Sequence, residues 1–146
     1  LWKLREGVPA AQKQEGGSIK HDISVPIAAL PAFMDLATER VEKLIPGVRV
    51  VAFGHVGDGN IHFNLSQPKD AKREAFLSRW DEASRMVHDT VVEMDGSISA
   101  EHGIGRLKRE ELVRLADPLE LEQMRAIKRA LDPHNIMNPG KLVLPG

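Results

Sequence analysis

The sequence contains no cysteine. Disulfides and thiolate metal sites are therefore excluded, and any metal ion held by this chain must draw its ligands from histidine, aspartate and glutamate. An excess of one charge is also lacking, since 20 basic side chains stand against 21 acidic ones for a formal net charge of -1. That balance leaves no electrostatic footprint for nucleic acid or an anionic membrane surface, and neither partner is expected. No apolar run approaches the roughly 20 residues needed to cross a bilayer, and no signal-peptide core is visible. The chain opens on Leu1-Trp2-Lys3-Leu4-Arg5, without an initiator methionine, and reads there as a helix already under way. The natural N-terminus is expected upstream, so missing targeting signals carry no weight. The expected location is the cytoplasm, with peripheral attachment to the inner membrane allowed for a longer parent.

What is present is a globular balance: 146 residues, 42% hydrophobic and 28% charged, enough for one domain with its own core. Residues 2–14 read as a helix stopped by Gly16-Gly17. Residues 19–25 alternate, with Ile19, His21, Ile23 and Val25 against Lys20, Asp22 and Ser24, as in a half-buried strand ended by Pro26. Leu30, Phe33, Met34, Ala37, Val41, Leu44 and Ile45 recur at helical spacing behind Pro31, and Pro46-Gly47 ends that helix. Residues 48–54 and 60–66 form two strand patterns around Gly57-Asp58-Gly59, a hairpin signal.

One long helix is expected over residues 70–94, laying Phe76, Trp80, Ala83, Val87 and Val91 on the sheet. A loop rich in glycine and serine follows, then helices over 107–115 and 118–131, the second with Asp117 as N-cap. The tail over 135–141, with its proline and glycine, reads as a fixed loop. This order predicts an α+β fold: an antiparallel sheet with helices packed on one face, a cap domain related to the ferredoxin-like arrangement. No internal repeat, low-complexity segment or linker interrupts it.

If Asp58-Gly59 are the central residues of a two-residue turn, His55 stands directly across from His62. Two imidazoles so paired have Cβ atoms about 4.5–5.5 Å apart and converge on one ion. Alternation puts Phe53 and Asn64 on that face and turns Val56, Ile61 and Phe63 toward the core. Glu101, in the loop Ser99-Ala100-Glu101-His102-Gly103-Ile104-Gly105, adds a carboxylate, and two histidines with one carboxylate form a recurrent zinc set with an open position. His102 beside it sits where a mobile imidazole can exchange protons. The plain alternative is a hairpin with surface histidines and a polar pair ahead of a helix. Arg5 and Lys20 have no local context beyond solvated charge, and His21, His88 and His134 read as structural or surface residues.

Three separated segments carry a resemblance: Gly54-His55-Val56-Gly57-Asp58-Gly59-Asn60-Ile61-His62, the loop through Glu101 and His102, and the ending Asn138-Pro139-Gly140-Lys141. Together with the opening residues and Lys20-His21-Asp22-Ile23-Ser24-Val25-Pro26, they resemble the FAD-linked oxidase C-terminal domain of the vanillyl-alcohol oxidase superfamily. That family includes D-lactate dehydrogenases, glycolate oxidase subunits and D-2-hydroxyglutarate dehydrogenases. The resemblance implies that His55, His62 and Glu101 bind a divalent ion, commonly zinc, and that His102 is the catalytic base. It implies substrate contacts, chiefly to carboxylates, from Arg5, Lys20 and Asn64, and places Asn138 and Lys141 toward the flavin. In dicarboxylate-specific members a hydroxyl residue stands one helical turn after the arginine. Here that position is Pro9, which argues against hydroxyglutarate as the substrate.

The implied parent oxidises a D-2-hydroxy acid, such as D-lactate or glycolate, to the 2-oxo acid, with FAD bound mainly by an N-terminal domain outside this chain. The electron acceptor is open, and a homodimer is allowed. No glycine-rich flavin-binding segment occurs here, so the isolated chain is expected to be inactive. Two other readings stand beside this one: a catalytically silent binding or cap piece, and a zinc hydrolase using His55, His62 and Glu101 with His102 as base. The hydrolase needs an electrophile pocket within this one domain, whereas the dehydrogenase needs a partner domain.

Overall fold

The computed structural model describes residues 2–143, the side chain of Arg5 excepted. The chain forms two compact units, residues 1–101 and 102–146. The first carries α1 (Trp2–Gln14), β1 (Ser18–Ile19), β2 (Asp22–Ser24), α2 (Leu30–Leu44), β3 (Arg49–His55), β4 (Asn60–Ser66), α3 (Arg73–Leu77) and α4 (Trp80–Glu93). The second carries α5 (Arg109–Leu115) and α6 (Pro118–Leu131). No helix among the described residues is long and apolar enough to cross a membrane.

The expected α+β class is what the first unit shows. Its open antiparallel sheet is centred on β4, with β3 along one edge and β1 and β2 along the other. β1 and β2 share one register against β4, so they behave as a single strand broken in the middle. Period-2 alternation then sorts the side chains. Ile19, Ile23, Ile61, Phe63 and Leu65 are buried on one face, under Phe33, Ala37 and Val41 of α2 and Ala83, Val87 and Val91 of α4. Phe33 meets Phe63 edge-on at 5.5 Å between ring centroids, a favoured aromatic geometry. His21 also lies on this face. Its Nδ1 is 2.7 Å from the Phe63 carbonyl and its Nε2 3.2 Å from Ser84 Oγ, so burial leaves the ring hydrogen-bonded. His88 stacks against it edge-on and is likewise buried.

Several expectations fail locally. The hairpin does not turn on two residues: Val56–Asp58 form a 3-10 turn, and Gly59 follows in the left-handed region at φ 73°. His55 therefore pairs with Asn60, and His62 with Phe53. Val56, expected in the core, is exposed on that turn. The reason is a contact distant in sequence. Val25 donates its amide to the Gly59 carbonyl, and a Cβ on Gly59 would meet the Val25 oxygen at 2.0 Å, so the loop is moulded against the end of β2.

The long helix over 70–94 is two helices, broken at Ser78 and Arg79. Ser78 Oγ bonds back to the Ala75 carbonyl, which competes with helix continuation. The Arg79 guanidinium meanwhile donates to the Leu44 carbonyl at 2.8 Å, capping the C-terminus of α2. Trp80, beside the break, is partly exposed rather than laid on the sheet.

In the second unit, Asp117 caps α6 by accepting the Leu119 amide at 2.7 Å, as the sequence predicts. The tail after α6 is a fixed loop. Asp132 accepts the amides of Ile136 and Met137, each at 2.9 Å, and is paired with Lys128. Arg109 donates to the Gly140 carbonyl at 2.7 Å, and Leu142 donates to the Gly105 carbonyl.

Candidate metal centre on the polar face of the sheet

The residues that alternate with the core make the opposite face of the same strands: Ser18, Lys20, Asp22 and Ser24, then Asn60, His62, Asn64 and Ser66, then Phe53 and His55. At one end Gln12, reaching in from α1, donates to Ser18 Oγ at 3.0 Å and Ser66 Oγ at 3.1 Å, and accepts from Asn64 Nδ2 at 3.0 Å. At the other end lie His55, His62 and Asn60. His55 and His62 are diagonal rather than direct partners, which ordinarily separates them by about 7–8 Å on one face. They still share that face, because the register differs from the expected one by two residues and a shift of two preserves sidedness.

Glu101 joins them from the loop that follows α4. Its Oε1 lies 3.4 Å from His55 Nδ1, and its Oε2 lies 4.0 Å from His62 Nε2. Asn60 Nδ2 donates to Glu101 Oε1 at 2.5 Å and steadies the carboxylate. Asp58 stands 4.0 Å from the same His55 nitrogen. The His62 ring, with its side chain 19% exposed, packs at 5.1 Å against Phe53, whereas the His55 and Glu101 side chains are 52% and 41% exposed.

The donor types suit a divalent cation, and Asp22 also brings an oxygen within 4.8 Å of a His62 ring nitrogen. A separation of 4.0 Å between the His62 nitrogen and the Glu101 oxygen is too long for a hydrogen bond and suits two ligands facing a common partner. Asn60 Oδ1 beside them is buried and takes no hydrogen bond from any described residue, which leaves one acceptor of the cluster unsatisfied. Two imidazoles and one carboxylate are the set expected of catalytic zinc.

The other sequence-predicted residues are placed as follows. Asn64 lies on the same face, buried, with its amide turned to Gln12. Lys20 is exposed, and the shared register of β1 and β2 sets it level with Asn64. Arg5 lies on α1, and its side chain is outside the described residues. His102, exposed, opens the second unit. Asn138 and Lys141, both exposed, belong to the fixed tail loop of that unit. Sequence reasoning missed Asp22, Asn60 and Gln12. Asp22 and Asn60 stood in the right alternation, but only strand pairing reveals which residues they face.

The family described as FAD linked oxidases, C-terminal domain, matches residues 1–142. A D-2-hydroxyglutarate dehydrogenase of Xanthomonas citri is 41% identical over 142 residues, covering 97% of this chain and 30% of that protein. One from Stutzerimonas stutzeri is 40% identical with the same coverages, 97% and 30%. A putative mitochondrial D-lactate dehydrogenase of Schizosaccharomyces pombe is 35% identical, covering 98% of this chain and 28% of its own length. The chain thus spans under a third of the proteins it resembles.

Proposed function

Because the chain belongs to the family of FAD-linked oxidase C-terminal domains, we propose that it is the substrate- and metal-binding part of a flavin-dependent D-2-hydroxy acid dehydrogenase. The observation that carries this reading is the gathering of His55, His62 and Glu101 on the polar face, in a chain related across its length to D-2-hydroxyglutarate dehydrogenases. His55, His62 and Glu101 would hold the divalent ion, zinc by ligand type. A bound ion supplies Lewis acidity that lowers the pKa of a chelated hydroxyl, and the flavin of the N-terminal domain supplies the hydride acceptor.

The chain's own residues do the rest. An imidazole nitrogen of His102 accepts the substrate's hydroxyl proton as general base. Lys20 and Arg5 hold carboxylate oxygens by charge, and Asn64 adds a hydrogen bond while Gln12 keeps its amide in place. Asn138 and Lys141, on the fixed tail, contact the flavin. The substrate is a D-2-hydroxy acid. Hydroxyglutarate is in the names of the relatives from Xanthomonas and Stutzerimonas, whereas Pro9 offers no hydroxyl to a second carboxylate.

The test uses the flavin-containing parent with D-2-hydroxyglutarate, D-lactate and glycolate offered in parallel. His102→Ala is expected to lower turnover roughly 10²–10⁴-fold while sparing metal content. Glu101→Ala is expected to lose metal first, since a carboxylate binds a divalent ion by charge. If His102→Ala strips the ion and Glu101→Ala keeps it, the two roles are reversed and this mechanism fails.

A further inference from the structure

Glu101 is not placed by its own loop. A loop with Gly103 and Gly105 on its far side has no intrinsic reason to aim one carboxylate at a hairpin, so something distant must fix it. The segment before Glu101 is first stitched to the edge of β2, where Ser24 and Ser97 exchange amide-to-carbonyl bonds of 2.9 and 2.8 Å. It then passes over Asp22. The Asp22 carboxylate accepts the Ala100 amide at 3.2 Å, the Glu101 amide at 3.2 Å to Oδ1 and 3.1 Å to Oδ2, and Ser99 Oγ at 3.4 Å.

Asp22 is only 3% exposed, and aspartate is disfavoured both in strands and in burial unless its oxygens are hydrogen-bonded. Consecutive amides converging on one carboxylate fix the backbone from which the Glu101 side chain departs. Asp22 is also the direct cross-strand partner of His62, and one of its oxygens lies within 4.8 Å of a His62 ring nitrogen. Two carboxylates therefore flank one imidazole. A mere loop tie would not need the second negative charge there, whereas a cation site gains from it.

The geometry points to Asp22 as a positioning residue for the metal centre, which sets the Glu101 backbone and places charge beside His62. The inference rests on the metal reading above. Asp22→Asn keeps the size of the side chain but replaces one acceptor oxygen with an NH2 group that cannot accept the loop amides.

The experiment is titration of the full chain with zinc against a competing chelator, with cobalt as a spectroscopic probe. Wild type is expected to bind one ion, and folded Asp22→Asn to bind it about 10–100-fold more weakly, with an altered visible cobalt spectrum at saturation. A purely structural role would lower the melting temperature of Asp22→Asn and leave the affinity and spectrum of the folded protein unchanged; that result overturns the inference alone. Absence of zinc binding by wild type overturns the metal reading and the inference with it. Should Asp22→Asn not fold, amide hydrogen exchange in wild type decides. Slow exchange at Ala100 and Glu101 supports the tie, and exchange at free-loop rates refutes it.

Discussion

Two loops in this molecule are pinned in the same way, and the difference between them lies in how far the chain travels to make the pin. In the first unit Asp22 accepts the consecutive amides of Ala100 and Glu101, nearly eighty positions away along the chain. In the second, Asp132 accepts the consecutive amides of Ile136 and Met137, within about one helical turn of itself. Each loop presents candidate site residues, Glu101 in one and Asn138 in the other. The local pin organises only its own tail. The distant pin joins a strand of the core sheet to a loop on its polar face, so the stability of the sheet and the placement of Glu101 are coupled.

Removing the distant pin should have the largest effect on stability. Asp22→Ala leaves two loop amides without their acceptor and is expected to destabilise the cooperative unfolding of the first unit by about 1–3 kcal/mol, measured by urea denaturation. An unchanged midpoint would mean that the two loops differ in sequence span only.

The local pin should respond to pH. The hydrogen bond from Lys128 holds the Asp132 carboxyl below its usual range, and the amides of Met137 and Ile136 add to that effect. A depressed carboxylate contributes stability that is complete above the unfolded value, about 3.9, and is lost as pH falls through the lower folded value. Amide exchange at Ile136 and Met137 should accelerate only in that acid window, with the sheet amides still protected. Simultaneous loss in both units would show that the tail is not an independent latch.

The smallest effect is expected at a third carboxylate, Asp117, which takes a single amide at the start of α6. Asp117→Ala should cost about 0.5–1 kcal/mol, in keeping with an exposed N-cap, and should appear as a small loss of helical signal on heating. A larger loss than at Asp22 would invert the proposed ranking.

The same distinction between near and far explains what the sequence made legible. Helix α6 was readable because Asp117, Pro118 and the apolar spacing all act within one turn. The strands were readable because Ile61, Phe63 and Leu65 alternate with Asn60, His62 and Asn64 whatever the partner. The hairpin register was not, because the loop is shaped by Val25 against Gly59 and not by the turn residues alone. The break at Ser78 and Arg79 was hidden for the same reason, since the Arg79 guanidinium is drawn off to the end of α2. Glu101 stands 3.4 Å from the His55 ring and 4.0 Å from that of His62. Asp22, which fixes where one of them stands, was visible only as a polar residue in an alternating strand.

The crowded hairpin corner has a consequence for how this domain can change over generations. At Gly54 a methyl group would sit 2.1 Å from the Asn60 carbonyl oxygen, and at Gly59 it would sit 2.0 Å from that of Val25. Gly57, on the same turn, has open space around it. The corner can thus vary in chemistry at its tip, through Gly57 and the exposed Asp58, but not in bulk at its base. Substitution at the tip can retune what the rim of the site touches, while added bulk at the base would have to displace the strands that carry the two histidines.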